Sequence, residues 1–424
     1  MPDVGFLNLF AVALVAFGVP LLLGLAPWLR VPGPVLEIVA GVVLGPAVLG
    51  WVDADLPVRV LAVVGLAFLL FLAGLEIDVS ALRGRPLRLA LAGFGITLVL
   101  GVLAGGAFAA AGWVHSPLLL AITLSATSLG LVVPVLKDAG QTERPIGQAV
   151  VVAASVADVG AVLLLSLFFS TRAGTGTGAR LVLLAGFALV VAVLAWALLR
   201  AGRSPRLGQA LLRQQDTTAE IRVRACVALL LGLVAVASRF GLETILGAFV
   251  AGAVLAFVDR DATSHPRLRA KLDAVGYGFV VPVFFVASGL RLDVRGLLAD
   301  PAALARVPVF LVALLLVRGA AALPLLPTAG RRATAAAGLL QATSLPFILT
   351  ATQIGVATAV LSPVTAAALV AAGLLSVLLF PATALVQLRR RPSEYAVAPS
   401  RESEAQVHPC GGTAGAGLGR TIRL

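Results

Sequence analysis

The chain consists largely of long apolar runs separated by short stretches that carry Gly, Pro and charged residues. A helix needs roughly 20 mostly apolar residues to cross the hydrocarbon core of a bilayer. Only 12% of the 424 residues are charged, which is about half of the share in a soluble domain. The sequence therefore predicts an all-α polytopic membrane protein with about thirteen transmembrane helices. The predicted spans are 5–29, 33–50, 58–77, 87–112, 116–137, 145–170, 179–200, 222–240, 241–258, 274–291, 302–326, 333–357 and 361–388.

The formal net charge of +12 does not indicate a nucleic-acid surface. The basic residues lie in short loops between apolar runs and near the C-terminus, without a continuous basic face or interleaved aromatic residues. The two cysteines, Cys226 and Cys410, and the three scattered histidines have no metal-ligand spacing. We therefore expect the lipid bilayer as a partner, and no nucleic acid, no bound metal and no cofactor.

The distribution of Lys and Arg predicts how the spans are oriented. Basic residues are concentrated after odd-numbered spans, as at Arg83, Arg85, Arg331 and Arg332, and are few after even-numbered spans. Because basic loops stay on the cytoplasmic side, we expect a multi-pass protein of the cell membrane with its N-terminus outside and its C-terminus in the cytoplasm. Residues 392–424 have little apolar content, which predicts a disordered cytoplasmic tail.

Three short motifs recur in the second half of the chain at nearly one offset. Two recur 215 and 216 residues on, and a weaker one recurs 211 residues on. The offset pairs the third span with the tenth and the fifth with the twelfth, which run in opposite directions. This pattern indicates an inverted-topology repeat, an architecture typical of secondary transporters. The pairs are Gly74–Asp78 with Gly289–Asp293, Ala126–Ser128 with Ala342–Ser344, and Ala40–Val42 with Ala251–Ala253.

The repeated Ala-Thr-Ser motifs lie in the middle of their spans, with Pro134 and Pro346 following them. Small polar residues followed by proline can interrupt a helix and free carbonyl groups and helix ends for binding a cation. The alternative is that the hydroxyl groups simply bond to their own helix or pack against a neighbouring one. The occurrence of the motif in both repeats favours two interrupted helices.

Asp158 is the single charged residue of the apolar run Val150–Phe169. An ionisable side chain at membrane depth is costly and usually functional. The sequence therefore predicts that Asp158 belongs to the functional site.

Five motifs follow one another along the chain: Pro34–Pro46, Phe68–Asp78, Ala126–Ser128, Gly247–Gly252 and Phe284–Gly289. In this order, within residues 5–388, they resemble the membrane domain of the monovalent cation/proton antiporter-2 family, which comprises sodium or potassium/proton exchangers. The resemblance implies an inverted-repeat sodium/proton antiporter-like fold in which two interrupted helices cross at mid-membrane.

The resemblance also implies how the chain is divided. Residues 1–391 are expected to form the exchanger membrane domain, and residues 392–424 the tail. The core is expected to comprise spans 4 to 6 and 11 to 13, at roughly 87–170 and 302–388. A panel of spans 1 to 3 and 8 to 10, drawn from 1–110 and 222–291, is expected to supply the contacts of a homodimer. Span 7 would link the two halves.

In the family that this chain resembles, a carboxylate lies beside the crossing of the interrupted helices. Asp158 matches that carboxylate, and Thr127 and Ser128 match the crossing on the fifth span. With Ser155, one helical turn before Asp158, they are the expected ion- and proton-binding residues. The repeat mate of Asp158 is Gly373, so the acidic group is expected on one side of the crossing only.

Further expected site residues lie on other spans. Arg318 matches a basic residue of the core and is expected to couple electrostatically to Asp158, with a snorkelling arginine as the alternative. Gln341, Thr343 and Ser344 are expected to supply polar ligands from the second crossing helix, in the place of an Arg-Gly-Glu type sequence that relatives often carry.

Four carboxylates near span ends and one departure from the family pattern complete the expected site. Glu37 either lines an access funnel or is simply solvated. Glu76 and Asp78 are expected to form ion pairs with basic residues that follow the third span, namely Arg83 and Arg85. Glu243 is expected to be structural or a mouth residue. Many relatives carry a polar residue immediately before the carboxylate, where this chain has Ala157.

These residues imply a secondary active transporter that exchanges Na+ or K+ for protons by alternating access at Asp158, and not an enzyme. With one deep acid, electroneutral exchange is favoured. The alternative is a sodium- or proton-coupled organic-anion symporter on a similar inverted-repeat scaffold. A channel would need a continuous polar pore or a carbonyl filter, and an intramembrane aspartyl protease would need two facing aspartates, which the sequence does not provide.

Overall fold

The computed structural model of the chain describes residues 6–26, 28, 31–77, 82–138, 140–142, 144–169, 177–202, 220–258 and 266–389. Within these ranges the regular structure is helical, and no strand is found. Residues up to Leu388 form one compact unit. The predicted tail at 392–424, and Asp78 in the first repeat motif, lie outside the described residues.

The helices are numbered in chain order. Those of the first half are α1 Leu7–Leu25, α2 Gly33–Leu44, α3 Leu56–Leu75, α4 Gly84–Ala110, α5 Pro117–Ser125, α6 Leu129–Asp138, α7 Pro145–Phe168 and α8 Thr177–Gly202. Those of the second half are α9 Ile221–Arg239, α10 Thr244–Val258, α11 Pro266–Val275, α12 Val281–Leu290, α13 Val294–Ala299, α14 Pro301–Gly319, α15 Leu326–Gln341, α16 Pro346–Ala357 and α17 Pro363–Arg389. A π-helical turn, Gly276–Val280, joins α11 to α12, and a 3-10 segment, Ala320–Leu325, joins α14 to α15.

In the described part of the chain, nine helical segments are long and apolar enough to cross a membrane, and four shorter apolar helices accompany them. Each of the thirteen predicted spans overlaps one of these segments. The prediction that 33–50 forms one span was too long, because α2 ends at Leu44 before Gly45 and Pro46. The segment 301–341 contains parts of two predicted spans, which are separated at Gly330 (φ +76°).

Two helices are interrupted at the positions that the Ala-Thr-Ser motifs predicted. The first interruption separates α5 from α6 and begins at Ala126, where the backbone becomes extended (φ −79°, ψ 153°). The second separates α15 from α16, which starts at Pro346. Since proline has no N–H group, Pro346 favours the first turn of α16 and cannot continue α15, whereas Pro134 lies within α6 and does not mark the first interruption. Each interruption therefore leaves two helix ends within the protein.

Close helix contacts at glycine join the two halves of the chain. Helix α2 packs on α12 where Gly41 meets Gly289, and α3 packs on α10 where Gly74 and Gly252 lie at the contact. A Cβ atom added at any of these glycines would overlap a backbone carbonyl oxygen of the facing helix. Gly41 and Gly252 belong to one repeated motif, and Gly74 and Gly289 to another, so each repeat contributes one partner to both contacts. Part of the sequence repeat thus reflects close helix packing.

We expect Gly252→Ala to destabilise the protein, because the new Cβ would overlap the carbonyl oxygen of Phe71 and backbone cannot rotate away as a side chain can. Overpacking of this kind typically costs about 1–3 kcal/mol. Gly232→Ala on α9 is the matched control, since a Cβ there meets nothing within 4 Å. It should leave stability unchanged or raise it by up to about 1 kcal/mol through helix propensity. Thermal unfolding in detergent measures both, and equal unfolding temperatures would contradict the packing account.

Candidate functional site

The two interrupted helices cross and are hydrogen-bonded to each other at their interruptions. The backbone N–H of Ser128 donates to the carbonyl oxygen of Thr343 at 3.0 Å. The hydroxyl of Thr127 donates to the carbonyl oxygen of Gln341 at 2.8 Å. All four residues are buried. Carbonyl groups left free by the interruption of one helix are therefore bound by the other repeat, which fixes the crossing.

Asp158 lies on α7, directly beside the start of α6. Its carboxylate accepts a long hydrogen bond from the backbone N–H of Leu129, the first residue of α6, at 3.4 Å. The positive end of the helix dipole and the free N–H groups of a helix start stabilise a negative charge. The side chain is only 8% exposed, so these contacts replace part of the hydration that a carboxylate has in water.

The second repeat has a hydroxyl group where the first has the carboxylate. Ser376 on α17 accepts a hydrogen bond from the backbone N–H of Ser344 at 3.3 Å, just before α16 begins. Its own hydroxyl donates to the carbonyl oxygen of Gly373 at 2.7 Å. The sequence comparison did not identify Ser376, because it lies 218 residues after Asp158 rather than at the repeat offset. The crossing thus has one acidic side and one neutral side.

Arg318 on α14 is buried within the protein at 1% exposure, so the snorkelling alternative was wrong. Its Nε donates to the hydroxyl of Thr127. Its two terminal nitrogens reach the hydroxyl of Thr97 at 3.5 Å and the carbonyl oxygen of Ala153 at 3.2 Å. No sequence feature had pointed to Thr97 or Ala153 as partners of Arg318. The guanidinium therefore ties α14 to α4, α7 and the interruption between α5 and α6.

The electrostatic coupling of Arg318 to Asp158 stays a prediction. Within the part of the chain that the structure describes, they do not form a direct ion pair. Instead, Arg318 contacts Thr127 at the interruption, and Asp158 contacts Leu129 two residues further on. The guanidinium thus contacts the interruption at Thr127 and does not occupy the carboxylate of Asp158, which lines the cavity.

An open cavity reaches Asp158 between the crossing and the helices that pack against it. The lining comes from the start of α2, the end of α3, α10, the π-helical turn and α12 on one wall, and from the crossing and α7 on the other. The cavity therefore extends from Asp158 toward the side on which α2 begins and α3 ends. Its lining residues are Pro34, Leu69, Leu70, Ala73, Thr127, Ser128, Leu129, Gly130, Leu131, Asp158, Val162, Phe249, Tyr277, Phe285, Pro346 and Phe347.

The family model of the sodium/hydrogen exchanger transmembrane region matches residues 13–385, which is most of the chain and includes the crossing and Asp158. This chain belongs to the sodium/hydrogen exchanger family. The sequence-based resemblance to monovalent cation/proton antiporters is thereby confirmed.

Several individual proteins are similar to this family member. YjbQ of Bacillus subtilis is 32% identical over 363 residues, which cover 82% of this chain and 57% of YjbQ. An Na+/H+ antiporter of Enterococcus hirae is 31% identical, over 62% of this chain and 67% of the relative. This chain thus spans somewhat more than half the length of YjbQ. The solved structure of the sodium proton antiporter MjNhaP1 from Methanocaldococcus jannaschii at pH 8 is 17% identical and has a TM-score of 0.60. The structural match covers 91% of this chain and 98% of MjNhaP1. It confirms the antiporter-like fold.

The other predicted site residues of this family member differ in their surroundings. Ser155 and Thr343 donate to carbonyl groups of their own helices, Val151 at 3.0 Å and Leu339 at 3.2 Å, which is the ordinary helical bonding that the sequence left open. Neither residue lines the cavity that contains Asp158. Their hydroxyl oxygens keep acceptor capacity, since each is used here only as a donor.

Gln341 and Ser344, on the second crossing helix, are fully buried with polar atoms that lack a partner. Neither the amide nitrogen nor the amide oxygen of the Gln341 side chain has a hydrogen bond within the described structure. The hydroxyl of Ser344 has none either. A buried polar group without a partner is costly, so such groups in native proteins commonly bind water or an ion. These atoms are therefore available as ligands beside the crossing.

Glu37 and Glu76 are two of the carboxylates that lie outside the crossing. Glu37 on α2 is buried at 5% exposure, so it is not simply solvated, and it is absent from the lining of the cavity that contains Asp158. For Glu76 the predicted ion pairs with Arg83 and Arg85 were wrong.

The charges that act on Glu76 are Arg269 and Asp273, which lie on α11 almost 200 residues away in sequence. One oxygen of Glu76 is buried without a hydrogen-bond partner, and it lies near Gly130 of α6. Glu76 also interacts electrostatically with Asp158. It is thus a residue of the site surroundings that sequence reasoning missed.

Proposed function

We propose that this protein is a secondary active transporter that exchanges a monovalent cation, Na+ or K+, for protons across the membrane. The observation that carries the proposal is the position of Asp158, a lone carboxylate at the start of α6 that an open cavity reaches. The names of two relatives support the choice of substrates. The Enterococcus hirae relative is named as an Na+/H+ antiporter, and GerN of Bacillus cereus, 26% identical, as an Na+/H+-K+ antiporter.

The chemistry of exchange requires one site that holds either a proton or a cation. A bare carboxylate at membrane depth is costly, so Asp158 is stable when a proton is bound covalently or when a cation lies against it. Carboxylate, hydroxyl and carbonyl oxygens are suitable ligands for hard cations. Asp158 together with oxygen atoms of Thr127 and Ser128 would bind the cation, and Ser155, Gln341, Thr343 and Ser344 would contribute nearby polar groups. Binding of the two substrates is then mutually exclusive, which produces antiport.

Alternating access would follow from the inverted repeats. The cavity extends from Asp158 toward the side on which α2 begins and α3 ends. The two repeats are built alike, so a movement of the core, which carries the crossing and Asp158, against the panel would expose the site to the other side. We place the cavity side in the cytoplasm, because the basic residues are concentrated there. A homodimer formed through the panel would hold the panel still while the core moves.

The number of deep carboxylates bears on the stoichiometry. On the second repeat the equivalent helix start binds Ser376, which carries no charge. One carboxylate exchanges one positive charge for another, so exchange of one cation for one proton is electroneutral. Arg318 does not alter this balance, because a guanidinium stays protonated in proteins and its charge is the same in both states.

We expect purified protein in liposomes to dissipate an imposed pH gradient when Na+ or K+ is added, measured by dequenching of a pH-sensitive dye. Addition of Na+, K+, Li+ and Rb+ in turn gives the selectivity. The rate should not change when the membrane potential is clamped at different values, because the exchange is electroneutral. A response to none of the four cations would refute the proposed function. A response that depends on an organic anion would instead indicate a symporter.

A further inference from the structure

Gly130, the second residue of α6, lines the same cavity as Asp158. Two polar oxygens from the opposite wall approach this glycine. A Cβ at Gly130 would lie 3.5 Å from the hydroxyl of Tyr277 and 3.7 Å from a carboxylate oxygen of Glu76. Tyr277 also lines the cavity that contains Asp158. The absence of a side chain at Gly130 therefore creates the space that these two oxygens border.

Tyr277 lies on the one π-helical turn of the described chain, Gly276–Val280. The turn is flanked by two helices, α11 and α12, and its two glycines differ in how closely other residues pack against them. Gly276 allows close packing on α3, since a Cβ there would lie 2.6 Å from Leu72. Gly278 has open space around it, so steric contact does not require a glycine there. A single π turn often occurs at a functional site, and glycine increases the freedom of the backbone.

The surroundings of Tyr277 distinguish it from a packing residue. Tyr277 is 44% exposed, although it lines the cavity and its hydroxyl lies near Gly130. The oxygen of Glu76 that borders the same space is sealed from solvent and has no hydrogen-bond partner. Phe279, on the same turn, is 52% exposed but does not line the cavity. Only one of the two aromatic rings of this turn is thus placed on the route to Asp158.

We infer that Tyr277 is a gating residue: its ring narrows the passage at Gly130 between the open side of the cavity and Asp158 so that a hydrated cation cannot pass, and the π-helical turn is the hinge on which it moves. In the closed position the hydroxyl lies against Gly130 and next to Glu76. In the open position a hydrated monovalent cation can pass Gly130 and reach the carboxylate. This inference rests on the proposed function for the identity of the passing ion, but the gate itself is defined by access to the cavity.

The gate is tested by the rate at which a cysteine inside the cavity reacts with a bulky reagent. Val162 lines the cavity one helical turn beyond Asp158 on α7 and is buried. Val162→Cys is introduced into a chain whose two native cysteines, Cys226 and Cys410, are replaced by alanine. The purified protein is treated with a positively charged methanethiosulfonate, and the labelled fraction is followed by mass spectrometry. Minor conformations commonly have populations of about 0.1–10%, so removal of a closed gate should speed labelling about tenfold or more.

Tyr277→Ala should therefore label much faster than the parent, whereas Tyr277→Phe, which keeps the ring, should remain within a small factor of it. Phe279→Ala is the matched control and should label at the parent rate. If Tyr277→Ala does not give a monodisperse protein, Tyr277→Ser is measured in its place. Labelling of the alanine or serine variant at the parent rate, or equal acceleration in Phe279→Ala, overturns the gate. The dye assay of the unmodified protein is run separately, so failure of cation exchange remains distinguishable from failure of the gate.

Discussion

Asp158→Asn should reduce cation-dependent proton flux in liposomes to the level of protein-free vesicles. Asparagine has nearly the shape of aspartate, and its side-chain oxygen can still accept the hydrogen bond from Leu129 N–H. It cannot bind a proton in the relevant pH range, and it offers a cation no negative charge. The substitution therefore removes both substrates from the site while leaving the crossing intact.

The matched control is Glu243→Gln, the same change of carboxyl to amide at a partly buried residue that does not line the cavity. Glu243 lies between α9 and α10, where its backbone N–H donates to Ser166 at 3.3 Å, and this bond survives the substitution. We expect this variant to keep most of its flux. Full activity of Asp158→Asn, with both variants folded to the same extent, would contradict the role of Asp158.

Arg318→Met should strongly destabilise the protein. The guanidinium provides hydrogen bonds to the hydroxyls of Thr127 and Thr97 and to the carbonyl oxygen of Ala153, all in a buried region. Methionine fills a similar volume but leaves these acceptors without a donor, and leaves Asp158 without the nearby positive charge. Removal of one partner from a buried charged network typically costs about 3–5 kcal/mol.

Arg318→Lys separates the charge from the geometry. An ammonium group keeps the positive charge but lacks the planar fork that reaches several acceptors at once. We expect an unfolding temperature between those of the wild type and Arg318→Met. Arg88→Met on α4 serves as the control, because this arginine is exposed, and surface changes usually stay within about 0.5 kcal/mol. If Arg318→Met unfolds at the same temperature as the control, the buried contacts of Arg318 do not stabilise the crossing.

The spans and their two interruptions were predictable because the bilayer acts directly on composition. A spanning helix must be apolar over its whole length, and a polar or proline-containing break in such a run is visible in the sequence. Asp158 was predictable for the same reason, since a single carboxylate in an apolar run is conspicuous. Arg318 was predicted as a deep charge, and its complete burial confirmed this.

The partners of these residues were not predictable, because they come from distant helices. Glu76 was assigned to the nearest basic residues in sequence, yet α3 packs against the π-helical turn that follows α11, so that Arg269 and Asp273 become its neighbours. Ser376 was missed because the repeats differ locally by a few residues, and a fixed offset points to Gly373 instead. The position of Tyr277 depends on a π-helical turn. The only sign of this turn in the sequence is its two glycines, which do not by themselves predict a π-helix.

The weakest of the three repeated motifs has a physical explanation that the sequence did not suggest. Gly41 and Gly252 occupy helix contacts in which the facing backbone leaves no room for a Cβ. Repetition of a glycine within an apolar run is a weak signal, because glycine is frequent in this chain. Each of these glycines faces the backbone of a helix from the opposite repeat. This became evident only from the packing of α2 on α12 and of α3 on α10.

The central claim, that a proton and a cation compete for Asp158, is tested most directly by proton release on cation binding. Na+ or K+ is added to lightly buffered, detergent-purified protein, and the change in pH is recorded together with the heat of binding. If the two substrates exclude each other, saturation of the protonated site releases close to one proton per chain by linkage, and Asp158→Asn releases none. Cation binding without proton release, or equal release from Asp158→Asn, would contradict the shared site.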